Sequence, residues 1–216
     1  MRLYEALYSR FGFLNWWPGE TKDEVLIGAI LTQQTSWRNV ERAIANIKAH
    51  NLLSVGAISE ASPEELESLV KPAGYYRQKS KRLIGICRFI IGNYGSLETL
   101  FRLDGAELRR VLLSIKGIGP ETADSIMLYS AEKLSFVVDA YTKRVMSRVY
   151  GFSEDASYEQ LKGLFERSIK PDLVLYKDFH AQFVELGKRY CKTRPACSEC
   201  PALKLCRHGS ASMQRF

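Results

Sequence analysis

Apolar residues recur every third or fourth position along nearly all of the chain, the rhythm of helices with one buried face. Leu3, Leu7, Tyr8 and Phe11 predict a helix over residues 1–12. Leu26, Ile27, Ile30 and Leu31 predict a second, entered through Thr21-Lys-Asp-Glu24, which has the form of a capping box. Further helices are predicted at 38–50, at 63–70 behind Ser62-Pro-Glu-Glu, and through Leu83, Ile86, Phe89 and Ile90. The same period marks 105–114, 120–132, 140–151, 158–169 and 176–190, while the tail 208–216 lacks it and is expected to fray. No stretch alternates with period two, so the fold class expected is all-α. No apolar run approaches the roughly 20 residues of a membrane span. Met1-Arg-Leu-Tyr-Glu-Ala-Leu7 carries charges inside its apolar run and has no cleavage site, so an intracellular, cytoplasmic protein is expected.

The interruptions of the pattern carry the candidate chemistry. Phe11 to Gly19 is an aromatic loop containing Trp16, Trp17 and Pro18. It is either ordinary core or a stacking wall for a flat ligand. Thr32-Gln33-Gln34-Thr-Ser36 is a polar break before Trp37. Lys71 to Arg82 packs five basic residues around Tyr75 and Tyr76, as a solvated face or as a track for phosphates. Lys116-Gly117-Ile118-Gly119-Pro120-Glu121 reads as a tight glycine turn feeding a helix, with Pro at the first helical position. Glycines let a partner approach the backbone closely, and the N–H groups of a first helical turn attract anions. Gly74 sits at a similar junction and hints at a diverged repeat of this turn.

Charge agrees with such a partner. Lys and Arg number 31 against 24 Asp and Glu, a net charge of +7 and a pI near 9.1. That excess suits a polyanion without requiring one. Four of the five cysteines follow one another as Cys191-x5-Cys197-x2-Cys200-x5-Cys206. In an intracellular protein such a group suits metal ligation better than disulfides. On charge grounds the four thiolates satisfy either a tetrahedral zinc ion or a [4Fe–4S] cube, although zinc sites usually show two C-x2-C pairs. Cys87, among Ile84, Ile86 and Phe89, reads as a core thiol.

Leu112 to Gly119 with Thr122-Ala123 resembles the helix-hairpin-helix of the DNA glycosylase superfamily typified by endonuclease III. Val138-Asp139 matches that family's catalytic motif, 18 positions beyond Glu121. The cysteine loop 191–206 resembles the family's [4Fe–4S] loop, with a first gap one residue shorter than is typical. The resemblance implies a two-lobed, all-helical fold. One lobe would be a helical barrel over 22–134 containing the hairpin. The other would join 1–21 to 135–216 and hold the cluster, with double-stranded DNA in the cleft and the protein acting as a monomer. Asp139 would be the catalytic carboxylate, and Gln34, or Gln33, would fill the gap left by an extruded base. Lys116, Gly117, Ile118, Gly119, Thr122 and Lys143 would contact DNA.

The family's strand-cleaving members carry a lysine where this chain has Glu121, and a carboxylate cannot form a Schiff base. Excision without strand cleavage is therefore expected, with Glu121 serving either the pocket or only the first helical turn. Glu121, the Trp16-Trp17-Pro18 loop and Trp37 most resemble the 3-methyladenine glycosylase branch. Its cationic, N-alkylated purines suit an aromatic pocket by a cation–π attraction of about 0.5–2 kcal/mol. The alternatives are a glycosylase for mismatched uracil, thymine or adenine, a lyase-active relative of endonuclease III, and a non-catalytic cluster-bearing DNA-binding module.

Overall fold

The structure, a computed structural model, describes residues 1–16, 19–153 and 155–213, without the side chains of 212 and 213. Its helices are α1 (Arg2–Phe11), α2 (Lys22–Leu31), α3 (Trp37–Ala49), α4 (Val55–Glu60), α5 (Pro63–Val70), α6 (Tyr76–Tyr94), α7 (Leu97–Phe101), α8 (Gly105–Ser114), α9 (Pro120–Ser125), α10 (Ala140–Tyr150), α11 (Tyr158–Ser168), α12 (Leu173–Arg189) and α13 (Arg207–Met213). No strand occurs among the described residues. No helix there is long and apolar enough to cross a membrane. The chain divides into two compact units, Met1–Trp16 with Leu134–Phe216, and Trp17–Lys133.

Helix starts follow the local signals. Thr21, Ser54, Ser62, Ser96, Asp104, Ser157 and Asp172 each accept the backbone N–H three residues on, one of the donors a first turn leaves open. At Thr21 only half of the expected capping box forms: Glu24 Oε2 takes the N–H of Glu20 instead of returning to Thr21. The tail expected to fray is helical as far as Met213.

In the unit Trp17–Lys133, Leu26, Ile27, Ile30 and Leu31 of α2 are fully buried and pack with α3, α5, α6 and α8 into one apolar core. The helix expected over 120–132 is regular only to Ser125. It then widens into a π turn over Ile126–Ser130, fixed by the Ser130 hydroxyl on the Lys22 carbonyl at 2.7 Å. Thr122 to Ser130 are buried without a break, so this segment runs through the core instead of along its surface. Cys87 lies in the same core, as its sequence context predicts.

Lys79 departs from the basic track it belongs to in sequence. It is 3% exposed, and its ammonium donates to the Leu31 and Ala73 carbonyls, each at 2.8 Å. Burial, and then the charge of Arg82, lower its pKa to about 8. It ties the end of α2 to the turn before α6.

The other unit is cored by aromatic rings. Phe136 stacks on Phe165 (centroids 4.2 Å apart) and Phe179 on Phe183 (4.8 Å), with edge contacts joining the pairs. Each such pair adds roughly 0.5–1.5 kcal/mol beyond burial. The stacks seat the extended segment leading to Asp139 against α11 and α12.

Lys79→Met should leave two buried carbonyls without their donor and lower stability by about 2–3 kcal/mol in urea unfolding at pH 7.5. The unfolded chain keeps this proton to about pH 10.4, whereas the folded one releases it near pH 8. Between those values the unfolded state binds more protons, so this group makes stability rise with pH. Unfolding at pH 7.5 and 9.5 should show that component in the wild type and not in Lys79→Met; equal slopes would refute it.

Candidate active site and cysteine loop

In the unit Trp17–Lys133 the glycine turn is built from α8 and α9. Arg109 of α8 donates through Nε and Nη2 to the two carboxyl oxygens of fully buried Asp124 in α9, at 2.8 and 3.0 Å. This bidentate pair joins the hairpin's helices. Gly117 has φ +99°, and a Cβ there would lie 2.5 Å from Arg82 Nε. Gly119 has φ −95°, and a Cβ there would meet nothing within 4 Å. Ile118 is buried, its N–H bonded to the Ile115 carbonyl at 3.0 Å. Lys116 is exposed, and with Arg77, Lys81 and Arg82 it lines a concavity of about 710 Å³ beside the turn.

The two glutamines have different surroundings. Gln33 Nε2 donates to the Gly117 carbonyl at 3.2 Å and to Thr122 Oγ1 at 3.0 Å, and its Oε1 accepts from Arg82 Nη1. It thus links the end of α2 to the hairpin and α6. Gln34 is exposed, with φ +56°. Trp37 is half-buried with its ring against the core. A Cβ on Gly28 would sit 3.4 Å from that ring, at van der Waals contact, so the ring lies directly over α2. Glu121 is exposed in the first turn of α9.

In the other unit, Asp139 is the N-cap of α10. Its Oδ1 accepts from Thr142 N at 2.7 Å and Thr142 Oγ1 at 2.8 Å. Its Oδ2 lies 3.7 Å from Nε2 of His180, a buried residue of α12. Burial, the largest single influence on Asp139, would raise its pKa. The His180 ring and the Thr142 donors outweigh burial, and the carboxyl stays below its ordinary range. Trp16 meets the His180 ring edge-on at 5.5 Å, and Lys188 Nζ lies 5.8 Å over the Trp16 ring. Trp17 and Pro18 lie outside the described residues. Lys143 is half-buried in the first turn of α10.

Cys191, Cys197, Cys200 and Cys206 line one small cavity in this unit, among Val149, Leu186 and Ala202. Arg148 Nη1 lies 3.5 Å from Cys191 Sγ, and the Arg148 carbonyl lies 3.4 Å from Cys206 Sγ. The Gly209 N–H also points at Cys206 Sγ, at 3.3 Å. Arg144 donates to the Cys191 carbonyl at 2.7 Å. Arg148 Nη1 and the Gly209 N–H are the donors to sulfur among these, of the kind a thiolate needs in an apolar setting, whereas the Arg148 carbonyl accepts from the Cys206 thiol. Among the described residues, no three His, Cys, Asp or Glu side chains converge on a point as ligands of a single metal ion. The sequence pointed to Asp139 and the four cysteines, but not to His180 or Arg109–Asp124, which no motif marks.

Residues 27–171 match the family described as HhH-GPD superfamily base excision DNA repair protein. The chain is 46% identical, over 95% of its length and 94% of the other's, to a Methanocaldococcus jannaschii protein whose name places it provisionally among DNA repair glycosylases. It is 29% identical to endonuclease III of Thermotoga maritima, over 82% of this chain and 78% of that one. Among solved structures it resembles the 3-methyladenine DNA glycosylase of H. pylori bound to 1,N6-ethenoadenine. That likeness has TM-score 0.77 and 30% identity, over 87% of this chain and 96% of that one.

The two glycines of the turn should respond differently to one methyl group. Gly117→Ala forces a positive φ on alanine against Arg82 and should lower stability by about 1–3 kcal/mol. Gly119→Ala should stay within about 1 kcal/mol of wild type. Urea unfolding reads both, and equal losses would refute the assignment of the turn's conformation to Gly117.

Proposed function

The chain belongs to the HhH-GPD superfamily of base excision DNA repair proteins, and we propose that it is a monofunctional DNA glycosylase acting on N-alkylated purines such as 3-methyladenine. At the level of its family it is a DNA glycosylase, a hydrolase of N-glycosidic bonds. The catalytic part of this reading rests on one observation: Asp139 caps α10 through Oδ1 and keeps Oδ2 3.7 Å from His180 Nε2, in a setting that holds its carboxyl below the ordinary range. Breaking an N-glycosidic bond leaves positive charge on the sugar, and a fixed anion stabilises that charge most where water is scarce. Asp139 supplies the anion and orients the attacking water. The target base must leave the stack first, at a few kcal/mol, least for a damaged base.

The hairpin takes the DNA backbone in this reading. Gly119, which the fold itself does not require, leaves the turn open to a phosphate, and Lys116 and Lys143 add charge. Exposed Gln34 fills the vacated place in the stack, because Gln33 is engaged within the hairpin. Trp16 is the better candidate for the base wall, through its contact with the His180 ring, since Trp37 packs on the core. A similar protein, that of H. pylori, is named for 3-methyladenine and is bound to 1,N6-ethenoadenine. Glu121 offers no amine to attack the sugar, so the strand stays intact.

Cys191, Cys197, Cys200 and Cys206 would hold a [4Fe–4S] cluster, which would cross-link the loop. A single zinc ion draws its four thiolates to about 2.3 Å from one centre. The loop has one C-x2-C pair where zinc sites usually show two, and its four cysteines line one cavity, which supports the cube.

Purified protein should release 3-methyladenine from methylated duplex faster than uracil or thymine from mismatches, leave the strand uncut, and yield no borohydride-trapped adduct. Asp139→Asn should slow release at least about a hundredfold. Asparagine still caps α10, so duplex affinity should be kept. Release only from mismatches would overturn the lesion assignment, and a trapped adduct would overturn the monofunctional one.

Anaerobically prepared protein should also be brown, with broad visible absorbance that Cys197→Ser and Cys200→Ser remove. Colourless, zinc-loaded protein would refute the cluster.

A further inference from the structure

The two oxygens of Asp139 are used differently, and the second has no role in capping. Oδ1 takes both donors of Thr142, a complete helix cap on its own. Oδ2 faces His180 Nε2 at 3.7 Å, an ion-pair distance longer than an ordinary hydrogen bond. A histidine 3% exposed, with its ring nitrogen 3.7 Å from a partly buried carboxylate, needs a reason beyond packing.

The surroundings of the ring are also built. Asp178, two residues earlier in α12, accepts from Leu14 N at 2.7 Å and from the Tyr4 hydroxyl at 2.8 Å. Gln182, two residues later, donates to the Gly12 carbonyl at 2.8 Å. These bonds pin residues 12–14 to α12 and bring Trp16 edge-on to the imidazole, 5.5 Å away. A segment anchored on both sides of His180 thus delivers an aromatic cover to it. Apolar cover strengthens a charge interaction by keeping water out.

We propose that His180 is a positioning residue: its ring N–H fixes the direction and charge of Asp139 Oδ2, with Trp16 as the shield. This rests on the reading of Asp139 as the group that stabilises a cationic sugar. An Oδ2 without that partner is free to turn away or take up a proton, and then no longer faces the reacting sugar as a fixed anion. Binding of the duplex does not depend on it.

The test compares His180→Leu with His180→Gln, whose amide can still donate to Oδ2, in the full-length protein. Single-turnover release is measured on the duplex the wild type processes best, and affinity on duplex with neutral tetrahydrofuran in place of the sugar. His180→Leu should slow release about ten- to a hundredfold with unchanged affinity, and His180→Gln should stay within about a factor of five of wild type. A second probe is duplex carrying a cationic pyrrolidine at that position. The wild type should prefer it over tetrahydrofuran, and His180→Leu should lose most of the preference. Wild-type behaviour of His180→Leu in the probe comparison overturns the inference, as does a His180→Gln that falls as far as His180→Leu. If the wild type releases no base from any duplex, the glycosylase reading fails, while the pyrrolidine preference still decides whether His180 controls the charge of Asp139.

Discussion

Taking a carboxylate largely out of water costs several kcal/mol unless polar partners accompany it. The unit that carries Asp139 supplies them from two helices. Thr142 belongs to the helix the aspartate begins, and His180 to α12, which the edge contacts of Phe179 and Phe183 with Phe136 and Phe165 hold in place. Remove the aromatic core and α12 no longer presents His180; remove the cap and α10 no longer starts at Asp139. Helix capping, ring packing and the charge on one oxygen are therefore a single arrangement in this unit, and the proposed chemistry uses the charge it maintains.

The same problem is solved repeatedly in the unit Trp17–Lys133, with polar groups joining segments far apart in sequence. Gln33 satisfies a carbonyl and a hydroxyl of the hairpin, Lys79 satisfies two carbonyls, and Arg109 pairs with Asp124. Each removes an unsatisfied group and fixes a spacing at once. Nothing apolar would set the distance between hairpin and α2 so narrowly. The hairpin's shape is in this sense determined by residues up to 89 positions away.

Much of this was legible because its causes are local. Serine, threonine or aspartate before an apolar rhythm marks a helix start, so α5, α8 and α11 lie near their predicted bounds. The cysteine spacing and Val138-Asp139 needed only neighbours to be read. What was missed depends on distant partners. The short helices α4 and α7 present little periodicity and are held by packing against α6. The π turn follows from a hydroxyl finding a carbonyl 108 residues earlier. Lys79 looked like one more cation in a basic run, since nothing beside it announces the two carbonyls it serves. His180 sits in α12 with an ordinary helical context, and only folding brings it to Asp139.

The fifth cysteine has a consequence of its own. Cys87 is fully buried, and burial followed by the charge of Asp23 pushes its thiol pKa up to about 12. At neutral pH it is neither nucleophilic nor accessible, so oxidants and alkylating agents pass it by. Thiol chemistry of the folded protein is then confined to the loop 191–206. A thiol-reactive dye reads the state of those four cysteines alone, with no background from the core.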